Sequence, residues 1–140
     1  MGESMEGPQE RFVQGPQQSG TLYQRVGGIP YFNALVESFY AKVEADPALR
    51  PLYPEDLEPG KNHLAMFLVQ LWGGPPYYSM ERGRPLLRMR HLPFAIGQAE
   101  RDAWFSHMSA CVLESGVDRS DATMLIDYFE KASQFMINKD

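Results

Sequence analysis

One cysteine in 140 residues excludes an internal disulfide, so the fold has to be held by noncovalent contacts. That residue, Cys111, sits beside Met108 and Val112 at helical spacing, which marks a buried thiol rather than a nucleophile. Cations are outnumbered too: 13 Lys and Arg stand against 18 Asp and Glu, for a formal net charge of −5. This balance argues against nucleic acid or an anionic membrane as partner. No apolar run approaches membrane-spanning length, and the N-terminus lacks the cationic-then-apolar order of a signal peptide. Met1-Gly2 opens like a myristoylation signal, but Glu6 stands where Ser or Thr is required. The cytoplasm is the expected compartment. Also missing are a Gly-rich phosphate loop ending in Lys-Ser/Thr, His-Glu-x-x-His, Cys-x-x-Cys and Gly-x-Ser-x-Gly. Histidines number three (His63, His91 and His107), so imidazole chemistry has few candidates.

What is present is apolar: a hydrophobic content of 44% suits one soluble globular domain with a substantial core. Residues 1–20 are rich in Gly, Pro, Gln, Glu and Ser, and are expected to form a disordered N-terminal extension, with the domain over 21–140. Leu22 and Val26 predict a short helix that Gly27-Gly28 ends. Pro30 then opens a helix in which Phe32, Leu35, Val36, Phe39, Tyr40 and Val43 share a face, stopped by Asp46-Pro47. Residues 48–53 carry one further turn. Leu64, Phe67, Leu68 and Leu71 predict a helix from about Gly60, closed by Gly73-Gly74-Pro75-Pro76, and a loop from Tyr77 to Pro85 follows. A helix starting near Gln98 carries Ala103, Trp104, Met108, Cys111 and Val112 and stops at Gly116. Asp118 or Ser120 caps the last, with Leu125, Tyr128, Phe129, Ala132, Phe135 and Met136 as its stripe. No strand pattern occurs. The reading is all-α, with four main helices and short accessory turns.

Leu86 to Phe94 places His91 at the end of a short apolar and cationic segment that Pro93 cuts off. With Leu87, Leu92 and Phe94 beside the imidazole, and Arg88 and Arg90 able to reach an anion, the set suits an iron porphyrin. A satisfied structural histidine is the alternative reading of the same residues.

Gly27-Gly28, Phe39-Tyr40, Tyr53-Pro54, Phe67-Leu68, Gly73-Gly74-Pro75, Arg88-Met89-Arg90-His91-Leu92-Pro93-Phe94 and Arg101-Asp102-Ala103-Trp104 occur in that order. Together they resemble the truncated haemoglobins, group II in particular, over roughly residues 21–138. The resemblance implies a two-over-two helical sandwich around haem b, with His91 as the iron ligand. It implies Tyr40, Tyr53 and Trp104 as hydrogen-bond donors to a bound diatomic gas, Gly60 at a ligand entrance, and Leu64 as an apolar distal neighbour. Leu64, Phe67, Leu68, Leu87, Phe94, Ile96, Met108 and Phe129 would line the porphyrin, ordinary core packing being the alternative for each. Arg90 would meet a propionate, and Arg88 would face solvent. His63 as a second axial imidazole is a minor alternative, and His107 reads as a surface or core residue. Three functions stay open at this point. They are reversible binding of O2, CO and NO; a haem redox enzyme of nitric oxide dioxygenase or peroxidase type served by an external reductase; and a haem-free helical interaction module. A homodimer is suggested by resemblance only.

Overall fold

The computed structural model of the chain describes residues 20–139, so the expected extension lies, Gly20 apart, outside the described residues. The helix α1 (Leu22–Val26) starts because Thr21 Oγ1 accepts from the Gln24 N–H at 3.2 Å while Gln24 Oε1 accepts from the Thr21 N–H at 3.0 Å. Gly27 and Gly28, at φ 112° and 74°, then turn the chain into α2 (Ile29–Glu44), with Pro30 in its first turn. All six residues of the expected α2 stripe are buried. A 3-10 turn (Arg50–Leu52) follows, where Arg50 donates to the carbonyls of Tyr53, Pro54 and Glu55 at 3.2, 3.0 and 3.1 Å. Next come α3 (Glu58–Leu71), α4 (Tyr77–Arg82), α5 (Leu87–His91), α6 (Gln98–Glu114) and α7 (Arg119–Phe135). Among the described residues there is no strand.

Two helix pairs make the architecture. The α2 and α3 helices pack together, α6 and α7 pack together, and α2 joins the layers by packing on α6. Phe32, Phe39, Leu68, Met108, Leu125 and Phe129 are fully buried at that junction, each contributing roughly 1.5–3 kcal/mol of transfer free energy. Aromatic edges run through it, from Phe39 to Trp104 (5.1 Å), Trp104 to Phe129 (5.8 Å) and Phe129 to Tyr128 (5.5 Å).

Three expectations need correction. Residues 77–82 form a helix rather than part of a loop, because Gln70 of α3 holds Ser79 twice. Gln70 Oε1 accepts from the Ser79 N–H at 2.9 Å and Nε2 donates to Ser79 Oγ at 2.7 Å. Tyr78 is thereby buried against the Phe67 ring. The α3 helix begins at Glu58, two residues early, with Pro59 in its first turn. Leu71 and Phe135, placed in apolar stripes by their spacing, lie at helix ends beyond the layers and are exposed.

Candidate functional site

Between the two layers lies a cavity of about 510 Å³, walled by the corner after α2 and by α3, α5, α6 and α7. It is large enough for a cofactor-sized molecule. Leu64, Phe67, Leu68, Leu87, Phe94, Ile96 and Phe129 give its wall hydrocarbon character.

On one side stands His91. Its Nδ1 lies 2.6 Å from the Leu87 carbonyl oxygen, one helical turn earlier, and an acceptor there requires the proton on Nδ1. The Nε2 lone pair is then free to coordinate. The entry to α5 is strained: Leu86 sits at φ 46°, a left-handed conformation costly for any residue but glycine. Arg90 holds this entry by donating to the carbonyls of Pro85 (2.8 Å), Arg82 (2.9 Å) and Arg84 (3.2 Å). It lines the cavity as well, with Nη1 left over for an anion.

Tyr40, Tyr53 and Trp104 also line the cavity, with the Tyr40 and Tyr53 rings edge to face at 5.6 Å. The Tyr40 hydroxyl has no hydrogen-bond partner among the described residues, although the residue is only 5% exposed. Burial pushes its phenol up to about 12, with a small opposing pull from Lys61. Burial raises Tyr53 still further, helped by Tyr40 and opposed by the Trp104 indole N–H. Both phenols therefore keep their protons at neutral pH. Leu64 offers nothing polar beside them.

At the edge, Arg82 Nη1 donates to His63 Nε2 at 3.2 Å, so His63 is neutral there. Burial and the charge of Arg82 lower its pKa, with Glu81 pulling the other way and Arg90 adding to the lowering. Arg82 Nε is buried without a partner, an unused donor at the cavity wall.

Most of the candidates named from sequence meet at this one cavity: Tyr40, Tyr53, Gly60, Leu64, Phe67, Leu68, Leu87, Arg90, His91, Phe94, Ile96, Trp104 and Phe129. Met108 does not. It is fully buried in the α2–α6 core, since the part of α6 that carries it turns toward α2, while Glu100, Arg101 and Trp104 at the start of the helix reach the cavity. Leu92 is 54% exposed and walls nothing. Arg88 is engaged rather than solvent-facing, donating to the Ile137 carbonyl at 3.1 Å and lying over the Phe135 ring. His107 pairs with Asp46 Oδ2 at 2.7 Å, away from the cavity. Sequence reasoning missed Arg101 and Ser133 as lining residues, and read Tyr128, Ala132 and Met136 only as core stripe. The stripe's spacing was a signal for burial but not for burial against a void.

Haem fits this set. Among the described residues no group of three or more His, Cys, Asp or Glu could hold a bare metal ion. A single imidazole with its tautomer fixed suits instead a metal that arrives in its own chelate. The apolar walls match a macrocycle, and the unused N–H groups of Arg82 and Arg90 match its carboxylates.

The comparisons with known proteins agree. The family model described as "Bacterial-like globin" matches residues 21–138. The group 2 truncated haemoglobin YjbI of Bacillus subtilis is 36% identical over 117 residues, covering 84% of this chain and 88% of the relative. The crystal structure of the haemoglobin from the thermophilic phototrophic bacterium Chloroflexus aurantiacus superposes with a TM-score of 0.85 at 51% identity, covering 86% of this chain and 100% of that one. The truncated oxygen-avid haemoglobin from Bacillus subtilis does so with a TM-score of 0.81 at 35% identity, over 85% and 100%. On that combined extent and similarity, the chain belongs to the bacterial-like globin family, as a truncated haemoglobin of group II.

Proposed function

We propose that the protein binds haem b through His91 Nε2 and holds O2 reversibly, with CO and NO as competing ligands. One observation carries the reading: the 2.6 Å contact from His91 Nδ1 to the Leu87 carbonyl, which leaves Nε2 unprotonated in a cavity shared with the unpartnered Tyr40 hydroxyl. Haem, when bound, supplies the open iron position that takes a diatomic gas.

The chain's own residues supply the rest. Leu87 orients the imidazole and raises its basicity through the Nδ1 hydrogen bond. Tyr40 and Trp104 donate toward the ligand, with Tyr53 packed behind Tyr40. Donation favours a ligand carrying partial negative charge, hence O2 over CO, and slows its escape. Leu64 and Phe67 keep water out. Gly60 leaves room for the Tyr40 hydroxyl and for a ligand to enter. Arg90 Nη1 and Arg82 Nε hold a propionate. The oxygen-avid character of the Bacillus subtilis relative supports this reading.

The experiment compares ferrous, ferrous with O2, and ferric absorption spectra of wild type and His91→Ala. A stable, reversible oxygenated spectrum in wild type, with haem lost or five-coordination abolished in His91→Ala, is the expected result. An unchanged spectrum in His91→Ala overturns it.

The Tyr40 and Trp104 donors in the cavity also favour a second reading, redox turnover of NO or peroxide, since they would stabilise charge developing on oxygen. Steady-state turnover with an added reductase supports that reading, and single-turnover decay alone refutes it.

A further inference from the structure

The α5 helix is five residues long and has no buried residue, so it cannot hold its own position by propensity or packing. Pro93, directly after its cap Leu92, removes another N–H from the turn. Arg90 anchors its entry, and the anchorage of its exit comes from a segment 47 residues away. After α7 ends at Phe135, the chain runs back along the His91 turn. There the Asn138 side chain makes three hydrogen bonds at once. Its Nδ2 donates to the Phe94 carbonyl at 2.8 Å and to the His91 carbonyl at 3.2 Å, and its Oδ1 accepts from the Ile96 N–H at 2.9 Å. Its main-chain N–H donates to the Ile96 carbonyl at 2.8 Å, and Arg88 reaches the Ile137 carbonyl from the other side of the turn.

We infer that Asn138 is a positioning residue for the haem ligand, its amide clamping the backbone on both sides of Pro93 and so setting the height and tilt of the His91 ring. The chemistry requires a carboxamide. The Phe94 carbonyl needs a donor, the His91 carbonyl takes a second one beside the Phe94 N–H, and the Ile96 N–H needs an acceptor; a carboxamide supplies both kinds at one carbon. Arg90 fixes the entry to α5 from within the same loop, so Asn138 fixes the exit. The inference rests on His91 being the ligand.

The test uses the full-length holoprotein and its apoprotein, with Asn138→Ala and Asn138→Asp. Resonance Raman of the ferrous deoxy form reads the iron–histidine stretch, and transfer to an acceptor apoprotein reads haem loss. In Asn138→Ala the stretch shifts and broadens and haem loss quickens by about ten- to a hundredfold, the scale of other groups that orient a metal ligand from behind. Asn138→Asp is at least as severe, because a carboxylate oxygen would face the Phe94 carbonyl now 2.8 Å from Nδ2. A simple cavity effect would give the opposite order. If a variant fails to retain haem, amide exchange in the apoprotein decides. Loss of protection confined to residues 87–96 supports the inference, and loss spread through α2 and α6 overturns it. Wild-type stretch and haem loss in both variants also overturn it, leaving His91 ligation intact. A wild-type protein without an iron–histidine stretch would instead sink the proposed function itself.

Discussion

The hydroxyl of Tyr40 lies 2.8 Å from the point where a β-carbon on Gly60 would stand. Gly60 has no positive φ, so glycine is needed there for room and not for conformation. Gly60→Ala gains at most about 1 kcal/mol of helix propensity, while overpacking against a buried ring costs about 1–3 kcal/mol. A net loss of stability is expected, with faster O2 dissociation because the hydroxyl is pushed from its place. In a Tyr40→Phe background the clash disappears, so Gly60→Ala there is neutral or slightly stabilising. A double-mutant cycle on urea midpoints and O2 off-rates checks both statements, and additivity would refute them.

Tyr40→Phe and Trp104→Phe should each accelerate O2 dissociation by about tenfold or more, the scale of a hydrogen bond to a charged acceptor, roughly 1.5–3 kcal/mol. CO dissociation should barely respond. Since the Tyr40 phenol titrates only at about 12 and Tyr53 is raised beyond it, the donors persist and the O2 off-rate should stay flat between about pH 7 and pH 10. Stopped-flow displacement of O2 by CO measures this. A rate that climbs toward pH 10 would mean another group donates.

How much of this was legible in the residues depends on how far each signal reaches. The α2 stripe from Phe32 to Val43 was fully legible, since a 3.6-residue period and a Pro30 start are local facts. Gly27-Gly28 was equally plain. The α4 helix was not, because it exists through Gln70 and Ser79 meeting across a Gly-Gly-Pro-Pro turn, a tertiary bond over a sequence that reads as loop. Most cavity residues could be named by resemblance. Periodicity could not separate Met108, buried in solid core, from Tyr128, half-buried against the void, as both satisfy the same spacing. Asn138 left no signal at all: a polar residue near the chain end is ordinary until the His91 turn is seen beside it.

Asp121 makes the same point with a stability consequence. It reads as a helix-start charge, yet its side chain is 6% exposed and bonded to Arg25 Nη2 at 2.8 Å and Nε at 3.1 Å, tying α1 to α7. Arg25→Met should cost on the order of 3 kcal/mol, because it strands a buried carboxylate. Arg25→Met with Asp121→Leu should recover most of that. Chemical denaturation of the three proteins tests it, and a double variant as unstable as the single one would show that helix capping, not the ion pair, is at stake.

The edge of the cavity carries a pH dependence whose sign follows from His63. Burial and Arg82 lower its pKa, and its Nε2 accepts from Arg82 Nη1 at 3.2 Å only when unprotonated. Glu81, 4.0 Å away, pulls the other way but does not prevail. The fold thus favours the neutral ring. Above the unfolded value of about 6.5 both states are neutral and the stabilisation is fully present. As pH falls through that value the unfolded chain binds a proton that the folded chain resists, and stability declines toward the folded pKa. His63→Gln keeps an acceptor for Arg82 without a titration, so its stability should fall less between pH 7 and about pH 5 than that of wild type. Thermal melts of both proteins across that range give the difference directly. Parallel curves would assign the acid sensitivity to another group.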